Sequence, residues 1–334
     1  IFLNYLIEDF TMPKLNIIIA TVTRNRPRML VNLYQSLSGL DFPDAVDVEF
    51  LIIENNLVST SHDWLHEIRS KIGPRRVNYS LEKSIGISCA RNHALEYAKQ
   101  TEADFLVFVD DDELVEPDWL QQLLAEQQRS DFDIVGSPVR PRLFKAQLNM
   151  WQRLIWSGVE KNSARAELRT RKLWQENRAD AIKVATGSWM GKLDFFRRTG
   201  LRFDSQLGLT GGEDWNLWLK AKALGARTGW APNAIVYETV PCCRISFSYH
   251  FRRSRDHNAT EFGLRYSENP EQTIKQVPLK ILSRAWKLIV SICALPFKGG
   301  QAVVSLAMAL GGIVGLIQAF CGKRPRHYAK TTGF

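Results

Sequence analysis

The run FLVFVDDDE, residues 105–113, drives five apolar residues straight into four consecutive carboxylates. Four adjacent negative charges are costly unless they face water or share a cation. A strand that ends in Asp-x-Asp, here Asp110 and Asp112, is what a divalent cation on a diphosphate needs, because hard cations take oxygen ligands and bridge carboxylate to phosphate. The competing reading is a solvated turn leading into a helix opened by Glu116, Pro117 and Asp118. A second acidic pair stands in LGLTGGEDWNLWLKAKALGA, residues 207–226. Gly211 and Gly212 allow close backbone approach. Glu213 and Asp214 then open a helix with Trp215, Trp218, Leu219 and Leu224 on its apolar side and Gly225 at its end. The helix macrodipole alone favours acids in a first turn. A carboxylate held there also suits a general base that takes a proton from an attacking hydroxyl. Base and cation together suggest group transfer from a metal-bound diphosphate.

These groups need elements to position them. Asn16 to Val22 is a short β-branched apolar run, and Met29, Leu30, Leu33, Leu37 and Leu40 follow at helical spacing over Arg28 to Leu40. The pattern repeats as a strand over Val46 to Ile53, a helix over His62 to Ile72, a strand over Val77 to Ser80 and a helix over Ser88 to Lys99. Phe105 to Val109, apolar without alternation, reads as a strand buried on both faces. This order predicts a parallel, doubly wound α/β sheet with ligands at the carboxyl ends of its strands.

The 334 residues suffice for one large domain with an appendage, and the formal net charge of +9 points to an anionic partner or surface. The five cysteines form no CxxC pair, so neither a disulfide framework nor a zinc site is indicated. His62 and His66 share a helical face without an acidic partner and read as solvated. No signal peptide is expected. Met12 precedes the first strand, so residues 1–11 read as an artefact of the start site.

Six segments in order, TRNRP (23–27), LIIENN (51–56), SIGISCARNHAL (84–95), FVDDDE (108–113), ATGSWM (185–190) and GGEDWNLWLKAKALG (211–225), resemble the family 2 inverting glycosyltransferases with the A-type, Rossmann-like fold. The resemblance covers roughly residues 14–240 and implies a hexosyltransferase using Mg²⁺ or Mn²⁺ and a nucleotide-sugar donor, UDP-linked by expectation. It places Thr23, Arg26 and Glu54 on the nucleotide base and ribose. The family usually has Asp where this chain has Glu54, and Pro and Tyr where it has Val22 and Arg24. Asp110 falls near the ribose, Asp112 on the metal, Arg91 facing the donor, and Asp111 is a solvated middle residue of the donor-binding run. Gly187, Ser188 and Trp189 fall on the loop between donor sugar and acceptor. Asp214 matches the catalytic base, with Glu213 beside the acceptor. An inverting reaction is a single in-line displacement without a covalent enzyme intermediate.

RISFSYHFRRSRDH, residues 244–257, carries four arginines and two histidines against one aspartate. It is expected to be a basic loop in which Arg252 or Arg253, with His250, closes over the diphosphate. Gly299 to Gly322 is 24 residues without a charge, preceded by LIVSICALPF over 288–297. Basic residues on both flanks argue for a re-entrant hairpin turning near Pro296 to Gly300, or for two helices lying in the interface, rather than one span. The expected organisation is an extension over 1–13, a catalytic domain over 14–240, a basic loop and linker over 241–280, membrane-associated helices over 281–322 and a basic tail over 323–334. A membrane-bound enzyme of this type would act at the cytoplasmic face of the inner membrane on a lipid-linked or saccharide acceptor. The chain resembles bacterial exopolysaccharide glucosyltransferases of succinoglycan type. Two other classes compete. A nucleotidyltransferase would need a glycine-rich phosphate loop, and Thr23 to Arg28 has no glycine. A nucleic-acid-binding protein would interleave basic and aromatic residues over one face, so no nucleic-acid partner is expected.

Overall fold

The computed structural model describes residues 14–144, 147–208 and 211–322. The expected extension over 1–13 and the basic tail over 323–334 lie outside the described residues. The first half of the chain follows the periodicity of its sequence: β1 (Leu15–Thr23), α1 (Pro27–Leu37), β2 (Val46–Glu54), α2 (His62–Ile72), β3 (Val77–Leu81), α3 (Ile87–Lys99) and β4 (Phe105–Val109). Pro27, whose missing N–H costs nothing at a helix start, opens α1, and Met29, Leu30, Leu33, Tyr34 and Leu37 form its buried face. Then come β5 (Glu113–Val115), α4 (Trp119–Ser130), β6 (Ile134–Gly136), β7 (Val139–Leu143), α5 (Met150–Gln175), β8 (Ser188–Lys192), α6 (Leu193–Thr199), α7 (Glu213–Ala223), β9 (Thr228–Trp230) and β10 (Val236–Val240). The chain closes with α8 (Phe247–Glu268), α9 (Pro270–Cys293), α10 (Leu295–Lys298) and α11 (Gly300–Phe320).

The main sheet runs β3-β2-β1-β4-β8-β6-β9. Strands β1 to β4 pair in parallel, but β8 runs antiparallel to both β4 and β6. The all-parallel expectation is therefore corrected. It was drawn from the first four strands, where helical crossovers enforce parallel pairing, whereas β8 enters after the long α5 excursion and fills the gap between β4 and β6. Side-chain alternation gives the sheet two cores. Ile17, Ile19, Phe50, Val107 and Trp119 pack on one face, and Ile18, Leu51, Leu106, Phe108 and Trp189 on the other. A second sheet, β5-β10-β7, stands at the carboxyl edge of the first.

Two expectations about the C-terminal third are also corrected. Residues 241–280 are not a loop, because α8 and the first half of α9 occupy most of them. Charge density hid the helix from the sequence, yet Ser246 caps it by accepting from the Tyr249 N–H at 3.2 Å. The segment expected to associate with the membrane also begins inside a helix, since α9 runs unbroken across residue 281. The chain does turn where a hairpin was expected, at α10 and Gly299 (φ 47°). Among the described residues α11 is the helix long and apolar enough to cross a membrane. Its small residues, however, serve close packing inside the protein: a Cβ on Gly311 or Gly315 would collide with the backbone of Phe251 or Arg255 of α8. Ser254 of α8 donates its hydroxyl to the Met308 carbonyl at 2.7 Å.

Candidate functional site

Because β1 and β4 are neighbours in the sheet, the loop after β1 meets the acidic run after β4. Thr23 Oγ1 donates to Asp111 Oδ2 at 2.8 Å, and Arg26 reaches Asp111 Oδ1 at 2.8 Å and Asp112 Oδ2 at 3.3 Å. Arg244, just beyond β10, completes the cage: its Nη1 lies 3.3 Å from Asp112 Oδ2 and 2.9 Å from Glu238 Oε1. Glu113 folds back so that Oε2 accepts the Asp110 N–H at 2.9 Å, which fixes the turn between β4 and β5. The run is not a solvated turn. Asp111, Asp112 and Glu113 are 4, 8 and 3% exposed. Burial, reinforced by Asp111 and Glu238, lifts the Asp112 carboxyl to about 7 against the pull of Arg26 and Arg244. Burial beside Asp110 lifts Glu113 well above the carboxylate range.

The second acidic pair arrives from the opposite wall. Gly211 and Gly212 hold φ of 83° and 86°, a region that side-chain-bearing residues rarely adopt, and deliver Glu213 and Asp214 on the first turn of α7. Arg91 of α3, 3% exposed, joins the two clusters: Nη1 donates to Glu213 Oε1 at 2.6 Å and Nη2 to Asp110 Oδ1 at 3.0 Å. Burial raises the Glu213 carboxyl to about 7, with Arg91 lowering and Asp214 raising it. A cavity of about 390 Å³ lies between these walls, lined by Thr23, Arg26, Asp110, Asp112, Asp214 and Arg244 among others. Gly187 borders it. A Cβ there would stand 2.6 Å from Glu113 Oε1 and 3.3 Å from Asp110 Oδ2, so glycine lets this loop approach the carboxylates without displacing Glu113.

Of the residues singled out in the sequence, Thr23, Arg26, Arg91, Asp110, Asp111, Asp112, Gly187, Glu213, Asp214 and Arg253 line this cavity. Asp111 does so as a buried group held by Thr23 and Arg26, not as a solvated one. Glu54 does not line it. Its carboxylate accepts from Asn56, from the N–H and hydroxyl of Thr60 and from Tyr79, at 2.6–3.1 Å, and so ties down the loop after β2. Ser188 and Trp189 are also inside the protein, 1 and 2% exposed. Ser188 accepts from the Trp119 indole at 2.9 Å and bonds Ser137, while Trp189 stacks edgewise on Phe196. Strand alternation sends them to opposite faces of the sheet, Ser188 towards Trp119 and Trp189 into the core around Phe196, and both faces are covered there. Arg252 bonds back along α8 to Ser248. His250 is outside the lining, and burial beside Arg253 depresses its imidazole to about 4.

Sequence reasoning missed Arg244 and Glu238, and also Ala185 and Thr186, which line the cavity in place of Ser188 and Trp189. Arg244 belonged to the basic segment singled out, but its partner Asp112 is 132 residues away in the chain. The fold alone reveals that pairing.

The donor set suits a hard divalent cation, since it is built of carboxylate oxygens whose mutual crowding calls for positive charge. Among the described residues no three acidic, histidine or cysteine side chains converge on one ion position. A cation bound here through Asp112 would therefore draw its remaining oxygens from a ligand's phosphates and water, as Mg²⁺ commonly does.

The model of the family described as glycosyl transferase family 2 matches residues 18–190. Succinoglycan biosynthesis protein ExoM of Rhizobium meliloti (strain 1021) is 28% identical over 242 residues, 72% of this chain and 72% of that protein. O-antigen biosynthesis protein RfbC of Myxococcus xanthus is 30% identical over 126 residues, which is 37% of this chain and 9% of RfbC. Among solved structures, mannosyltransferase PcManGT from Pyrobaculum calidifontis, in complex with GDP-Man and Mn²⁺, superposes with a TM-score of 0.62 at 15% identity. That match covers 94% of this chain and 89% of that one and speaks for the fold alone.

Proposed function

The chain belongs to glycosyltransferase family 2, and from that premise we propose that it transfers a sugar from a nucleoside-diphosphate donor to an acceptor hydroxyl with inversion at the anomeric carbon. The observation that carries this reading is the convergence of two acidic groups on one cavity, the Asp110–Asp112 run on one wall and Asp214 on the other. Asp214 takes the proton of the acceptor hydroxyl, whose oxygen attacks the anomeric carbon as the bond to the diphosphate breaks. The departing nucleoside diphosphate carries the growing negative charge. Arg26, Arg244 and Arg253, which line the same cavity, are placed to receive it. Asp112, with Asp110 alongside, would hold Mg²⁺ or Mn²⁺, and the cation would supply further neutralisation of the leaving diphosphate. Arg91 ion-pairs with both Asp110 and Glu213 and so ties the run after β4 to the first turn of α7. Thr23 contributes to the donor cleft by fixing Asp111.

The similarity to ExoM supports a role in bacterial exopolysaccharide or surface polysaccharide assembly. A lipid-linked acceptor at the cytoplasmic membrane face fits that role, with a UDP-sugar as donor. The test is a transfer assay with UDP-sugars and short saccharide or lipid-linked acceptors, the product's anomeric configuration being read by NMR. A β-linked product from an α-linked donor is expected, and Asp214→Asn should lower kcat by about 10²–10⁴-fold, the range of a lost general base. A retained configuration would refute the single displacement.

A further inference from the structure

The outward face of α9 is apolar and its inward face carries charge, the reverse of what water selects on a surface helix. Leu279, Leu282, Trp286, Ile289 and Val290 are 69, 67, 65, 53 and 44% exposed. At about 100° per residue they fall on a single stripe. Val277 and Ser291 are buried on the opposite side. Two cations share that inner side: Lys280 Nζ lies 3.8 Å from Glu261 Oε1 of α8, and the Arg284 side chain packs over Gly312 of α11. The apolar surface goes on past the helix. Phe297 of α10 is 87% exposed, and Leu154, which approaches Gly299 and Gly300, ties this corner to the first turn of α5, where Met150 and Trp151 are 86 and 55% exposed.

Charge says what covers it. Around this face the exposed charges of residues 270–298 are Lys275, Lys287 and Lys298 against Glu271. A second copy seated face to face would set these cations against one another. Exposed Trp286 and Phe297 beside exposed Lys287 and Lys298 instead match the boundary between acyl chains and anionic headgroups. We propose that this face docks on an anionic lipid bilayer, with α9 lying in the plane of the interface and α11 as its support within the protein. The docking rests on the membrane-side reading above and not on the donor chemistry. It has a consequence for the site, since α8 carries Arg253 at the cavity and Asn258 and Glu261 beneath α9. A docked α9 therefore sets the height of the cavity above the lipid.

The test is co-sedimentation of the full chain with extruded vesicles of phosphatidylcholine alone and of phosphatidylcholine mixed with phosphatidylglycerol. Partitioning into the mixed vesicles is expected, at least about tenfold stronger than into the neutral ones and weakened by salt. The variant Leu282→Glu/Trp286→Glu/Phe297→Ser alters only exposed side chains, and thermal unfolding checks that it folds. It should lose partitioning by about tenfold or more. Wild-type protein that stays in the supernatant with mixed vesicles, or a variant that sediments as the wild type does, would overturn the docking. So would a wild-type dimer in sedimentation velocity that ignores vesicles and falls apart in the variant, because the face would then be a self-interface. None of these readouts depends on donor binding.

Discussion

Glu54 and Glu213 are both almost fully buried, yet their surroundings push their ionisation in opposite directions. Burial alone would raise Glu54, but hydrogen bonds from Thr60, Asn56 and Tyr79 outweigh it and hold the carboxyl below its usual range. A lowered folded value means that the stabilisation is complete above the unfolded pKa, about 4.3, and is lost as pH falls through the folded one. Glu54→Gln should therefore destabilise the protein by about 1.5–3 kcal/mol at pH 7, with the gap to wild type closing on acidification below about pH 4. Urea unfolding at both pH values measures this, and a gap that widens in acid would reject the assignment. Glu213, lifted to about 7, has the opposite sign and weakens the fold as pH rises from the unfolded value towards 7. Residue types and spacing made Asp110, Asp112 and Asp214 legible in the sequence. They could not show that Glu54 turns into its own loop, or that Ser188 and Trp189 point into the two cores, because those depend on the loop's own hydrogen bonds and on what covers each face of β8.

At the scale of elements, β1 to β4 and their helices were legible because β1 and β4 are apolar on both faces, β2 becomes so after an alternating start, the edge strand β3 is short and β-rich, and the helices carry one-sided apolar faces. Strand β8 was not, since its five residues SWMGK are short, contain a glycine and gain strand character only between β4 and β6. The same holds for α8, whose charges mask a helix stabilised by the small-residue face of α11. That face gives a prediction. Gly315→Leu, whose Cβ would meet the Arg255 backbone, should destabilise the protein by at least about 1–3 kcal/mol by overpacking. Met308→Leu, at a half-exposed position of the same helix, should be nearly neutral. Comparable thermal unfolding of both variants would mean that α11 does not need α8. A packed platform of α8 and α11 requires the difference.

Over the whole molecule, the strand order puts the ends of β1 and β4 side by side, and β10 brings Glu238 and Arg244 back to the same edge. The proposed donor residues gather at the carboxyl ends of the parallel strands, where open α/β sheets favour ligands. Asp214, the proposed base, arrives on α7 from far later in the chain, and the second sheet with α8 closes the far side of the cavity. The sequence implied that cavity through its motifs, but the long-range arginine pairs that hold it closed were beyond its reach. Isothermal titration calorimetry of UDP and GDP into the full chain, with and without Mn²⁺ and beside Asp112→Ala, tests the central claim most directly. Binding of a nucleoside diphosphate that strengthens with Mn²⁺ and loses this dependence in Asp112→Ala is the predicted result. Binding that is absent for both nucleotides, or equally strong without the metal and in the variant, would contradict a diphosphate site at the end of β4.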